Sequence, residues 1–230
     1  MPQDFPAPLP RTRLYEQVAD QITEWIARNG LGAGDRLPAE RELASRLGVS
    51  RATLAQALVA LEVVGAVEVR HGDGTLITGR GPREISADVR AHADRLPAVI
   101  EARDALETKL AALAAERRTE DDLARIDAAL AAMAEDIGSG GRGVEGDEAF
   151  HAAVTAAGHS SLLEQLMGTL AELIRESRIE SLSQPDRPQT SLAGHRRIAD
   201  AIRRQDRAAA AAAMHEHVAL VSDVALLTDR

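Results

Sequence analysis

The stretch DRLPAERELASRLGVSRATLAQAL, residues 35–58, decides how the chain begins to fold. A short helix runs from about Ala39 to Leu47, with Glu40 and Glu42 at its positive end. Gly48 stops it, Val49 and Ser50 make the turn, and Ser50 is placed to cap a new helix. That second helix puts Leu54, Ala57, Leu58 and Leu61 on one face and ends at Gly65. Ala44 is small enough to let the two helices cross closely. Upstream, Leu14, Val18, Ile22, Trp25 and Ile26 recur at helical spacing, and GLGAGDRLP (30–38) is a turn. Downstream, AVEVR (66–70) alternates as a strand, HGDG (71–74) turns, and TLIT (75–78) is a second strand. Residues 11–78 thus predict helix–helix–helix–hairpin, preceded by a Pro-rich arm, 1–10.

This spacing is that of a winged helix-turn-helix, whose recognition helix enters the major groove of DNA by its N-terminal end. Ser50 and Thr53 offer hydroxyls to phosphate, and Arg51 offers a guanidinium to guanine or phosphate.

Residues 79–89 read as a linker. Beyond it no convincing strand is found. Helices are expected at about 94–117, 120–137, 144–157, 161–182, 191–204 and 206–228. Loops are expected at GSGGRG (138–143) and SQPDRPQTS (183–191). Thr119 with Asp122 resembles a helix-starting cap, and Asp206 is placed to cap the last helix. Residues 90–230 therefore predict an all-α bundle of six or seven helices. The fold class expected is mainly α.

Composition and charge narrow the chemistry. There is no cysteine among 230 residues, which excludes disulfides, thiolate metal sites and a cysteine nucleophile. No apolar run approaches the roughly 18 residues that span a membrane, and MPQDFPAPLPR has no signal-peptide pattern; a soluble cytoplasmic protein with no membrane partner is expected. The net charge of −9 argues against nucleic acid if taken whole. Split at residue 80, it does not. Residues 11–80 hold 9 Arg and 9 acidic residues; residues 81–230 hold 18 basic and 26 acidic ones.

Histidine placement is the other signal. Asp147 and His151 lie one helical turn apart on the face of Val154. His195 shares a face with Ile198 and Ile202, and His217 with Ala213, Leu220 and Val224. His215 points the other way. Three inward histidines and one inward aspartate, from three helices, need a partner, and a divalent cation satisfies all four. Nitrogen and oxygen donors suit Zn, Ni, Mn or Fe and do not choose between them; Zn is the first expectation. Arg103 interrupts an apolar seam of Val99, Leu106, Leu110 and Leu113. It reads either as a structural ion pair or as the anchor of a small carboxylate effector beside open metal positions.

The string from Asp35 to Leu58, continued by VRHGDGT, closely resembles the DNA-binding domain of the GntR superfamily of bacterial transcriptional regulators, over about residues 12–78. The resemblance implies that Arg36, Arg41, Ser50, Arg51, Thr53, His71 and Gly72 occupy DNA-contacting positions, the last two at the tip of the wing. The family usually has arginine where this chain has Ala55. EARDALE (101–107), DEAFH (147–151), His195 and His217 resemble the helical effector domain, FCD-like, of the FadR-type branch. That likeness implies a metal held by Asp147, His151, His195 and His217, and an organic-acid effector. The family commonly has Asn at the place of His159, which is a further ligand candidate. The function expected is a ligand-responsive homodimeric regulator, a repressor first, reading an imperfect palindrome in double-stranded DNA. The alternatives are a metalloenzyme, a direct metal sensor or a structural metal; no HExxH motif supports the first.

Overall fold

The computed structural model describes residues 14–70, 74–80 and 82–223. The expected arm, the wing residues His71 and Gly72, and the end of the last expected helix lie outside them. The chain opens with α1 (Leu14–Arg28), α2 (Glu40–Leu47) and α3 (Arg51–Val63), followed by the antiparallel strands β1 (Val67–Arg70) and β2 (Gly74–Ile77). Local chemistry sets these boundaries. Gly48 ends α2 in the left-handed region (φ 67°), where a Cβ would be strained. The Thr53 amide donates to Ser50 Oγ at 3.0 Å and so starts α3. Val67 pairs with Ile77, and a bridge between Arg36 and Leu76 lays the α1–α2 connection along the hairpin. Leu54, Ala57, Leu58 and Leu61 are buried as expected, and Ala44 is buried at the helix crossing.

Seven further helices follow among the described residues: α4 (Pro82–Arg117), α5 (Glu120–Gly138), α6 (Val144–Ala157), α7 (Ser161–Thr169), α8 (Ala171–Leu182), α9 (Arg187–Arg203) and α10 (Arg207–Ala219), then one 3-10 turn, Leu220–Asp223. The fold is mainly α with a winged helix-turn-helix at its start. The capping box of Thr119 and Asp122 is formed, and Asp206 Oδ1 accepts from the Ala209 amide at 3.0 Å.

Four expectations need correction. Residues 79–89 are not an irregular linker: α4 is continuous from Pro82, and its Ile85 and Val89 are buried because α1 packs on it. Proline suits a first helical turn, where its missing N–H has no partner to lose. The same rule moves the start of α9 to Arg187, since Pro188 lies in its first turn and leaves only 183–186 as loop. The single helix expected at 161–182 is two, broken at Leu170. Finally, the buried stripe of α4 is Leu96, Ile100, Arg103, Glu107 and Leu110, while Val99 and Leu106 are only half-buried.

The two halves of the chain touch. α8 packs on α3, and α1 on α4. Arg142, in the α5–α6 loop, donates to both carboxylate oxygens of Glu62 on α3, at 2.6 and 2.8 Å, and to Ser183 Oγ at the end of α8, at 2.5 Å. Glu62 Oε1 also accepts from the Val69 amide of β1 at 3.3 Å. No helix among the described residues is long and apolar enough to cross a membrane.

Candidate functional site

Asp147 and His151 project from α6, His195 from α9 and His217 from α10, all into the interior of the helical bundle. Each is at most 3% exposed. One donor atom from each lies within 4.8 Å of the others. His195 Nε2 is 3.2 Å from the Nε2 of both His151 and His217, and 3.4 Å from Asp147 Oδ1. Donors about 2.0–2.2 Å from a common divalent ion fall at such separations. Burial pushes the His195 and His217 imidazoles well below their ordinary pKa, and the nearby Arg103 guanidinium adds to it for both. Neutral rings keep a lone pair for a cation. Three Nε2 atoms that face one another beside a carboxylate bring lone pairs together, a repulsion that a shared cation removes. The donor set therefore fits a metal such as Zn, Ni, Mn or Fe.

The surroundings hold the cluster in place. Phe150 stacks on His195, with centroids 4.1 Å apart. A Cβ on Gly194 would come within 2.9 Å of His217 Nδ1, so the close seat of that ring depends on glycine. Glu107 Oε2 lies 2.6 Å from His151 Nδ1, which leaves His151 Nε2 toward the cluster. The other oxygen of Glu107 accepts from Arg103 Nε at 2.8 Å. Burial alone would raise the Glu107 pKa; Arg103, His151 and Arg178 outweigh it and hold the carboxyl well below the usual range.

Arg103 is thus 1% exposed and engaged by Glu107 and by Ser177 Oγ, 3.0 Å away. These bonds are those of the structural ion-pair reading. A different guanidinium, Arg178 of α8, stands at the open side. Its Nε is 3.2 Å from Asp147 Oδ2, and with His151 and Arg175 it lines a pocket of about 550 Å³ between α6, α7 and α8. Arg178, Glu107 and Phe150 were missed from the sequence. Glu107 sits four residues after Arg103 and was findable by that spacing. Arg178 gave no such signal, because its partners are 31 and 71 residues away. His159 is not a ligand: it lies 2.8 Å from Asp122 at the start of α5. His215 faces out as expected, 2.7 Å from Asp104.

In the winged part, Arg36, Arg41, Ser50 and Arg51 are exposed and Thr53 is half-buried. Ser50 Oγ and Thr53 Oγ1 lie 2.8 Å apart. One of these hydroxyls donates to the other, and one proton remains for an outside acceptor such as phosphate.

Two family models match, one to each half. Residues 14–77 match "Bacterial regulatory proteins, gntR family" and residues 98–220 match "FCD domain". The chain belongs to the GntR family of bacterial regulatory proteins, in the group that carries an FCD domain. It is a DNA-binding transcriptional regulator and not an enzyme. LutR, an HTH-type transcriptional regulator of Bacillus subtilis, is 35% identical over 86% of this chain and 95% of its own length. YcbG, an uncharacterized HTH-type transcriptional regulator of the same organism, is 32% identical over 93% of this chain and 90% of its own. The solved structure of Streptococcus agalactiae GntR shares 29% identity over 90% of this chain and 98% of that one, with a TM-score of 0.47.

Proposed function

We propose that this regulator is a homodimeric repressor whose helical part binds one divalent metal and a small organic-acid effector. The observation that carries the reading is the buried Asp147, His151, His195 and His217 cluster meeting a pocket at His151 and Arg178. A metal there supplies an electrophilic centre for a carboxylate oxygen. The chain's own residues do the rest. Glu107 orients His151, Ser191 Oγ donates to Asp147 Oδ1 at 3.1 Å, and Arg178 presents a fork suited to a second carboxylate oxygen. The exposed Arg51, Ser50, Arg36 and Arg41, with half-buried Thr53, contact the operator, joined by His71 and Gly72 of the wing. Two copies read the two halves of an imperfect palindrome.

The pocket reaches the recognition helix by a short route. α8 lines the pocket with Ile174, Arg175 and Arg178, ends at Leu182, and is tied at the following Ser183 through Arg142 to Glu62 of α3. An effector that favours one position of α8 thereby favours one position of α3, which is what release from the operator requires.

The test is operator binding by the full-length protein, titrated with Zn and with small carboxylates separately and together. Release by carboxylate only in the presence of metal supports the reading. Release by metal alone favours the metal-sensor alternative, and full metal stoichiometry in His195→Ala combined with His217→Ala would remove the site.

A further inference from the structure

The outward side of α3 is unusual in what it presents. The core side is fixed by Leu54, Ala57, Leu58 and Leu61, all at most 3% exposed. At 100° per residue, the direction opposite is occupied by Ala52, Gln56, Val59 and Val63, with Ala55 beside them. Toward the C-terminal end this side is covered: Ala60 and Val63 are buried, and α8 packs on the helix. The first two turns stay open. Ala52 and Ala55 are exposed, Gln56 is half-exposed, and the Gln56 amide has no hydrogen-bond partner among the described residues. After Arg51 the open face of α3 therefore carries no cation, two methyl groups and one amide.

We propose that Gln56, with Ala52 and Ala55 beside it, is the specificity-determining surface of the recognition helix, and that it selects an A·T pair in each half-site. The proposal rests on α3 reading the major groove. Its chemistry is that of the groove edge. The glutamine amide accepts from adenine N6–H and donates to N7 in one bidentate contact. Guanine offers acceptors at both places, so the amide oxygen would face O6 with no proton between them. The thymine of an A·T pair adds a methyl group to the same groove, and the small alanine side chains leave room for it to pack. Ala52 and Gln56 are one turn apart, about 6 Å along the axis, so they address neighbouring base positions. An arginine at position 55 would instead favour guanine. Guanine selection by α3 thus falls to Arg51 alone.

The experiment is selection of duplexes from a random-sequence pool by the full-length protein, followed by affinities for single-base variants of the enriched site. The wild type, Gln56→Ala, Ala55→Arg and Arg51→Ala are compared, each checked for native helicity. The wild type is expected to enrich an A·T pair in each half-site. Gln56→Ala should lose the preference at that pair alone, by roughly 5- to 150-fold, while Arg51→Ala changes a different pair and Ala55→Arg gains a guanine preference. A Gln56→Ala protein that keeps the wild-type preference at every position overturns the proposal while leaving DNA reading by α3 intact. A folded wild type that enriches no sequence, or an Arg51→Ala protein with unaltered selection, overturns DNA reading by α3 itself, and the proposal with it.

Discussion

Glu107→Gln separates two roles that one carboxylate plays at once. Its Oε1 holds Arg103 at 2.8 Å and its Oε2 holds His151 Nδ1 at 2.6 Å, with Arg178 3.8 Å away and all four side chains at most 10% exposed. At an effective dielectric of ~20, the Arg103 contact alone represents about 6 kcal/mol of Coulomb attraction before desolvation. Removing one partner of such a buried pair costs about 3–5 kcal/mol, because the charge left behind stays buried. Glutamine keeps the volume and an acceptor oxygen, so the lower figure, about 3 kcal/mol, is expected for the metal-free protein. The second loss is independent. A carboxylate that accepts from a ligating histidine makes it a better donor and fixes its ring, and losing it weakens metal binding about 10- to 100-fold. Metal binding stabilises the native state by mass action, so the stabilisation conferred by a fixed excess of Zn should shrink by about 1.4–2.7 kcal/mol. Denaturant unfolding with and without Zn measures both quantities on the same protein. If the metal-free protein is destabilised while Zn confers the same increment as in the wild type, Glu107 serves only Arg103, and the orienting role argued for it is wrong.

Other outcomes follow from the same geometry. Arg142→Ala breaks the contacts to Glu62 and Ser183, and should leave metal and carboxylate binding in place while reducing effector-driven release from the operator; an undiminished response would route the coupling elsewhere. Arg178→Ala should abolish the thermal shift caused by small carboxylates yet keep one metal per chain, whereas Arg103→Ala should chiefly lower stability. His92 of α4 is buried between Glu176 and Glu180 of α8, at 3.0 and 2.9 Å. Burial alone would lower its pKa, but hydrogen bonds to the two glutamates, and their charges, raise it from 6.5 to about 9. Its folded pKa lies above its unfolded one, so its contribution, of order 3 kcal/mol, is complete below pH 6.5, declines above that, and is gone beyond about pH 9. Unfolding free energy measured across that window should lose this step in His92→Gln; an unchanged alkaline decline would assign it to other groups.

What the sequence determined by itself is what depends on near neighbours. Ser50 caps α3, Gly48 ends α2, Thr119 and Asp122 form a capping box, and Asp147 and His151 share a helical face, each through contacts within four residues. Burial periodicity also placed His195 and His217 on inward faces, so the four candidate ligands were legible before their separation was known. Only the tertiary structure decided the contacts that cross the chain. Glu107 meets His151, Arg178 meets Asp147, and Arg142 meets Glu62 over 80 positions. It also decided that α4 runs unbroken from Pro82 and that Arg103 faces Glu107 and Ser177. The physical reason is the range of the forces that leave a mark in sequence. Caps and helical faces impose a fixed spacing on nearby residues. A buried charge requires only an opposite charge at contact distance, and packing alone settles which distant residue supplies it.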